Sequence, residues 1–298
     1  MTKTAAIVVT YNRIHMLRQC IQHIQQQSVP CDIVVIDNAS TDGTAVYIQQ
    51  IQNNSIRYYN TGENLGGAGG FNYGIRKAVE LGYEYLWIMD DDCLPEVHAL
   101  SFLLRADGAL RGNYGWLSSK CYWTDGTLCP MNIQRKTPYK EIKDFSQEFI
   151  PAQMASFVSL FLKAETVRKY GLPIKEFFIW TDDWEYTRRI SRALPCYVVN
   201  SSQVVHAMQN NTVVSIANDS IERLPRYRYF YRNDVYLYRR EGIRGWIWLF
   251  TKDVWHSVQV LMHKEQVIKK LRIIWGSAFN GFSFNPQIEY PISDDSSS

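Results

Sequence analysis

Residues 85–96 read YLWIMDDDCLPE, an aromatic and aliphatic run that stops on three consecutive aspartates, Asp90, Asp91 and Asp92. A short apolar run bounded by polar residues predicts a buried strand, and this strand would deliver three like charges to one spot. Adjacent carboxylates are tolerable where a hard cation holds them, and Mg²⁺ or Mn²⁺ takes oxygen ligands from one or two carboxylates. Because side chains alternate along a strand, Asp90 and Asp92 can turn to one side and share a metal, leaving Asp91 for another partner. The structural alternative is an acidic first turn for a helix beginning near Pro95, where carboxylates and proline are favoured.

Upstream the strand signal recurs, with helices between. AAIVVTYN (5–12) reads as a buried strand, and Ile14, Leu17, Ile21 and Ile24 then fall at helical spacing, predicting an amphipathic helix from about residue 13 to 27. CDIVVIDN (31–38) is a second strand, followed by the turn residues ASTDGT and the helix AVYIQQIQ. SIRYYN (55–60) is a third strand, and NLGGAGG (64–70) is expected to be a glycine-rich loop opening a helix. Strands separated by helices of this length need crossovers, so the expected fold is α/β with a mostly parallel, doubly wound sheet. Ligands of such sheets bind beyond the carboxyl ends of the strands. Thr10 to Arg13, Asp37 with Asn38, Asn64 to Gly70, and Asp90 to Asp92 all stand at those ends and are expected to converge on one crevice. YGWLSS (114–119), ASFVSLFL (155–162), CYVVN (196–200) and SQVVH (202–206) add shorter strands, the last delivering His206.

The chain has 298 residues, of which 46% are hydrophobic and 20% charged, enough for a full core in an ordinary globular protein. A net charge of +3 does not argue for a nucleic-acid partner. The six cysteines contain no CxxC pair, and AAIVV followed by Tyr11, Asn12 and Arg13 is too short for a secretory signal. Reduced thiols in a cytoplasmic protein are therefore expected, rather than disulfides or a zinc site. No run approaches the roughly 18 apolar residues of a membrane span.

Four further features bear on chemistry. NLGGAGG fits neither the dinucleotide fingerprint nor a phosphate-binding P-loop, so its use is close backbone approach to a ligand or strand, or simply a tight loop. Asp37, ending VVID, can accept a hydrogen bond from a ligand or cap the turn that follows. In WTDDWEY (180–186) the pair Asp182 and Asp183 lies between Trp180 and Trp184. Aromatic faces pack on sugar rings and exclude water, which raises a carboxylate pKa toward that of a general base; the alternative is an N-cap with an acidic first turn. His206 is structural or, beside two carboxylates, a third ligand for a divalent ion.

Beyond about residue 215 the character changes. Residues 222–244 hold seven arginines and six aromatic residues against three acids, and GWIWLFTKDVWHSVQVLMHK (245–264) reads as an amphipathic helix. The expected division is an α/β domain over 1–215 and a helical region over 216–298, with the terminal SDDSSS disordered. Arginine-rich helices with Trp, Tyr and Phe suit an anionic membrane surface; alternatively Tyr227, Tyr231 and Val235 pack the helix on the rest of the chain.

In order and spacing, VVTYNR, VVIDNASTDGT, ENLGGAGGFNYGI, WIMDDDCLPE, FFIWTDDWEY and VVH resemble inverting glycosyltransferases of family 2, with the nucleotide-diphospho-sugar-binding GT-A fold. The likeness is nearest to bacterial galactofuranosyltransferases and their rhamnosyltransferase-like relatives, over roughly residues 4–240. The resemblance implies that Thr10, Arg13, Asp37, Asn64 and Gly67 hold the nucleotide, with Asp37 on the uracil, Arg13 near the diphosphate and Asp91 on the donor. It implies Mn²⁺ or Mg²⁺ on Asp90, Asp92 and His206, Asp183 as catalytic base, and Trp180, Asp182 and Trp184 at the acceptor or donor sugar. One departure is Thr181, which separates Trp180 from the acid pair where galactofuranosyl polymerases have the tryptophan adjacent. The implied activity is transfer of galactofuranose from UDP-galactofuranose to a glycan acceptor on polyprenyl diphosphate, at the inner face of a bacterial membrane. Rhamnose from dTDP-rhamnose is the alternative donor. A sugar-nucleotide nucleotidyltransferase would carry a basic glycine-rich signature where TYNR stands, and a non-catalytic glycan-binding protein would not need two acid sets.

Overall fold

The computed structural model describes residues 3–51, 53–208, 211 and 215–291, so the SDDSSS terminus lies outside the described residues. The first half alternates as expected: β1 (Thr4–Thr10), α1 (Ile14–Gln25), β2 (Asp32–Asp37), α2 (Thr44–Ile51), β3 (Ile56–Asn60), α3 (Gly66–Glu80) and β4 (Tyr85–Asp90). Then come β5 (Cys93–Pro95), α4 (Ala99–Ala109), β6 (Leu117–Tyr122), the small hairpin β7 (Arg135–Thr137) and β8 (Lys140–Glu141), and β9 (Phe149–Pro151). β10 (Leu160–Lys163), α5 (Ala164–Tyr170), α6 (Asp182–Ser191) and β11 (Tyr197–His206) complete the α/β part. The helices α7 (Tyr227–Tyr238), α8 (Gly242–His263) and α9 (Val267–Ser283) end the chain.

The central sheet runs in the order β3-β2-β1-β4-β10-β6-β11-β5, with β9 also on β11. Strands β1 to β4 are mutually parallel and β6 is parallel to β11, whereas β10 enters antiparallel to both its neighbours. Alternation along β1 divides the core. Ala5, Ile7 and Val9 face α3 residues such as Phe71 and Ile75, while Ala6 and Val8 face the side of α1 and α4 with Leu17 and Leu100. Burial on both faces is what selects near-continuous apolar strands.

Three local expectations are corrected. NLGGAGG is not a loop ahead of its helix, because α3 already begins at Gly66. The glycines lie inside the helix and let it press onto the sheet: a Cβ on Gly70 would meet Val9 Cγ1 at 2.5 Å, and one on Gly74 would meet Ile7 Cγ2 at 2.7 Å. CYVVN and SQVVH form one strand, β11, with a register shift between Val199 and Gln203. No helix starts near Pro95; that residue ends β5, and α4 begins only at Ala99. The three aspartates are therefore not a capping turn.

Of the C-terminal helices, α7 meets α6. α7 packs against α9, and the segment after α9 returns to α3, where Glu289 pairs with Arg76 and Lys175. All six cysteines are free thiols.

Candidate active site

The register of the sheet edge builds the acidic centre. β5 runs antiparallel to β11 with Cys93 opposite His206, and Ala207 N donates to Asp92 O at 2.9 Å. Two segments more than a hundred residues apart are thus held so that His206 Nε2 lies 3.0 Å from Asp92 Oδ1. Asp90, at the end of β4, completes a set in which one ligand atom each from Asp90, Asp92 and His206 lies within 4.8 Å of the others. His206 Nδ1 is 2.8 Å from Asn132 Oδ1, so Nδ1 can carry the proton and Nε2 faces the acids. That is the arrangement that orients an imidazole for a metal, and it fits two carboxylate oxygens and one nitrogen offered to a hard divalent ion. A second set, Cys121 and Cys129, approaches the same imidazole, and all three ligand atoms again fall within 4.8 Å. The hydrogen bond between the two thiols pushes Cys121 well up and draws Cys129 down to about 5, so that side offers one thiol and one thiolate.

The neighbouring expected donor ligands are turned inward. Thr10 Oγ1 donates to Asp91 Oδ2 at 2.7 Å, and Arg13 forks across both acids, with Nη1 3.0 Å from Asp91 Oδ1 and Nη2 2.7 Å from Asp92 Oδ2. Arg13 is the more exposed partner. Asp37, fully buried, accepts from Tyr58 Oη at 2.6 Å and from Ser40 N at 2.8 Å. Asn64, on the surface, accepts from Gly66 N at 2.9 Å and so shapes the entry to α3. Gly67 has open space where a Cβ would stand.

The second acid pair opens α6, as the sequence suggests. Burial raises Asp182 to about 7, with Asp90 adding to the effect. Burial and then the charge of Asp182 push Asp183 well above the carboxylate range, and Asp90 again contributes. Asp90 itself is pushed up by burial and then by Asp92. The two acid groups, far apart in sequence, are therefore close enough to feel each other's charge. Asp183 Oδ1 accepts from Trp184 N at 2.7 Å, and among the described residues no hydrogen bond is made to Oδ2. The tryptophans are less open than the sequence suggests. Trp180 packs edge-on against Tyr227 and Phe230 of α7, and Trp184 lies under the Arg135 guanidinium, 4.3 Å from its ring centre.

What sequence reading missed is the support behind the acid pair. Phe178, Trp180 and Thr181 all have positive φ (63°, 64° and 68°), and Ile179 N donates to Phe177 O at 2.7 Å across a strained three-residue turn. The fully buried Asn233 of α7 grips this turn, donating from Nδ2 to Phe177 O, Ile179 O and Trp180 O at 2.9, 3.3 and 3.0 Å. Next to it Asp234 accepts from Thr181 Oγ1 at 2.7 Å and pairs with buried Lys252. From the other side Ala68 N donates to Phe178 O, and a Cβ on Gly66 would collide with that carbonyl at 2.2 Å. No spacing in the sequence announces these contacts; the Asn-Asp pair sits in a stretch whose arginines and tyrosines dominate any reading. Asn233→Ala would strand buried carbonyls, each costing about 1–3 kcal/mol. It is expected to lower turnover about ten- to hundredfold while donor affinity stays near that of the parent chain. Unchanged kcat would refute the positioning role.

Comparison with known proteins gives the chain's relatives. Residues 5–112 match the family model for Glycosyl transferase family 2. The chain is 26% identical over 284 residues to galactofuranosyltransferase GlfT1 of Mycobacterium tuberculosis (strain H37Rv), covering 86% of this chain and 93% of that protein. It is likewise 26% identical over 274 residues to the protein of the same name from Mycolicibacterium smegmatis, covering 83% and 90%. Among solved structures, mannosyltransferase PcManGT of Pyrobaculum calidifontis, in complex with GDP-Man and Mn²⁺, superposes with a TM-score of 0.59 at 15% identity, covering 95% of this chain and 76% of that one. S. aureus TarS 1-349 gives 0.56 at 16%, covering 95% and 73%. The fold is thus that of GT-A glycosyltransferases, and the segment that matches the family 2 model includes the strands ending on Asp37 and on Asp90 to Asp92, which together support a glycosyltransferase.

Proposed function

We propose that the enzyme transfers a sugar, best matched by galactofuranose from UDP-galactofuranose, with inversion at the anomeric carbon, in the synthesis of a bacterial cell-surface glycan. The observation that carries this reading is that Asp90, Asp92 and His206 gather at the sheet's strand ends and that Asp90 feels the charge of Asp182 and Asp183. The sugar is suggested by relatives named galactofuranosyltransferase, and the ion by structural neighbours that hold Mn²⁺. Asp90, Asp92 and His206 would hold Mn²⁺ or Mg²⁺, and the bound ion supplies Lewis-acid neutralisation of the departing nucleoside diphosphate.

The chain's own groups do the rest. Arg13, Thr10 and Asp91 set the donor side of the crevice, with Asn64 and Gly67 at its rim and Asp37 with Tyr58 at the base-binding end. Asp183 Oδ2 accepts the proton of the acceptor hydroxyl as that oxygen attacks the anomeric carbon, and the diphosphate leaves from the opposite face. Trp180, Trp184 and Asp182 bound the space for the sugars and keep water from the base. Residues 1–215 then carry donor and metal. Residues 216–298 would face the inner membrane surface, where a polyprenyl-diphosphate carrier would present the glycan to the acid pair.

Incubation with UDP-galactofuranose, dTDP-rhamnose and a divalent ion, following nucleoside diphosphate release on a short galactan or rhamnosyl acceptor, tests the reading. Release with UDP-galactofuranose and a product anomer opposite to that of the donor is expected. Preference for dTDP-rhamnose would move the donor assignment, and retention of configuration would overturn the mechanism.

A further inference from the structure

We infer that α8 and α9 form a docking face for an anionic lipid bilayer, lying in the interface rather than crossing it. On α8, Ile243, Ile247, Phe250, Val254, Val258 and Leu261 recur every three or four residues, and all are exposed. On α9, Ile268, Trp275, Phe279 and Phe282 continue the pattern at 42–75% relative exposure. The two stripes are one surface, because Phe250 of α8 meets Trp275 of α9 with ring centres 6.2 Å apart, and Trp275 Nε1 donates to Ser257 of α8. Large exposed apolar patches on a folded chain mark a partner.

The charges around the patch choose the partner. Between Gly242 and Phe284 the acids are Asp253, which is buried against Lys252, and Glu265. Arg244, Lys264, Lys269 and Arg272 are all exposed, and the last three join Arg228 in a groove of about 1060 Å³ whose apolar wall includes Ile268 and Phe279. An apolar face rimmed by cations, with Trp255 and Trp275 at its margin, matches the boundary between acyl chains and anionic headgroups. A second copy of the chain fits less well, since a two-fold pairing would set each basic rim against its own counterpart. Among the described residues no helix is long and apolar enough to cross a membrane, so the face lies on the bilayer. The inference stands on this surface alone and deepens the proposal of a lipid-carried acceptor, because docking would bring a membrane-borne diphosphate to the side of the molecule that α7 shares with α6.

The test is flotation of the whole protein with phosphatidylcholine vesicles, with and without phosphatidylglycerol, at low and high salt. Binding that needs phosphatidylglycerol and weakens with salt is expected. Lys264→Glu/Lys269→Glu/Arg272→Glu should lower partitioning at least tenfold, since each cation near such a surface is worth about a fivefold gain. Ile247→Ser/Phe250→Ser/Phe279→Ser should lower it similarly, and neither set should change nucleoside diphosphate release with a water-soluble acceptor. Equal flotation of parent and both variants, or a dimer in solution that the serine variant abolishes, would overturn the inference. Flotation without sugar transfer would leave docking intact and sink the proposed activity instead.

Discussion

Asp183→Asn is expected to leave donor and Mn²⁺ binding intact and to lower kcat about a thousandfold. The side chain keeps its size and can still accept from Trp184 N, so α6 has no reason to move. What it loses is the proton acceptor at Oδ2, and a positioned base contributes about 4 kcal/mol to a barrier at that rate difference. Calorimetric titration of the donor together with single-turnover transfer separates the two effects; substantial turnover would remove Asp183 from the base role. The environment of this acid adds a second readout. Burial, then Asp182, raises Asp183, and only the ionised form can take a proton. Activity should therefore fall as pH drops through a point above the usual carboxylate range. Asp182→Asn removes the like charge, lowers that point, and should move the acid limb of kcat/KM toward lower pH. A limb that stays in place or moves upward would contradict the coupling.

The fold was legible because its signals are local and repeated. β1, β2 and β4 are apolar runs that end on polar residues, and the crossovers between them leave little choice but a parallel sheet. The acid clusters were legible for the same reason, since Asp90 to Asp92 and Asp182 with Asp183 each sit at an element boundary. Pairings that depend on register were not. That Cys93 lies opposite His206 follows from a strand of three residues meeting the end of a long bulged one, and no local pattern states it. The inward turn of Thr10 and Arg13 onto Asp91 and Asp92 is likewise a property of the assembled crevice: buried acids recruit whatever cation lies nearest. The grip of Asn233 on the turn before α6 belongs to this class too, because its worth comes from carbonyls that only a strained backbone exposes.

Asp92→Asn is expected to weaken Mn²⁺ binding about ten- to hundredfold and to lower transfer by at least as much. The argument starts from the charges that surround Asp92. His206 and Arg13 hold its carboxylate well below the usual range although it is buried, and Asp92 in turn raises His206 to about 10. Amide substitution keeps an oxygen for Arg13 Nη2 but removes the charge, so the site would be left with one carboxylate and an imidazole that no longer has an anionic partner. A hard ion held by oxygen loses most from that change. Electron paramagnetic resonance of Mn²⁺ reads the affinity without requiring turnover, and thermal unfolding checks that the crevice stays folded. Cys129→Ser is the matching control: if the ion belongs to the acids and not to the thiols on the far side of His206, Mn²⁺ affinity should stay within about twofold, since manganese prefers oxygen over sulfur. Equal Mn²⁺ affinity in Asp92→Asn and the parent chain would dissociate the metal from the three aspartates. The thiols Cys121 and Cys129 would then be the better reading of His206.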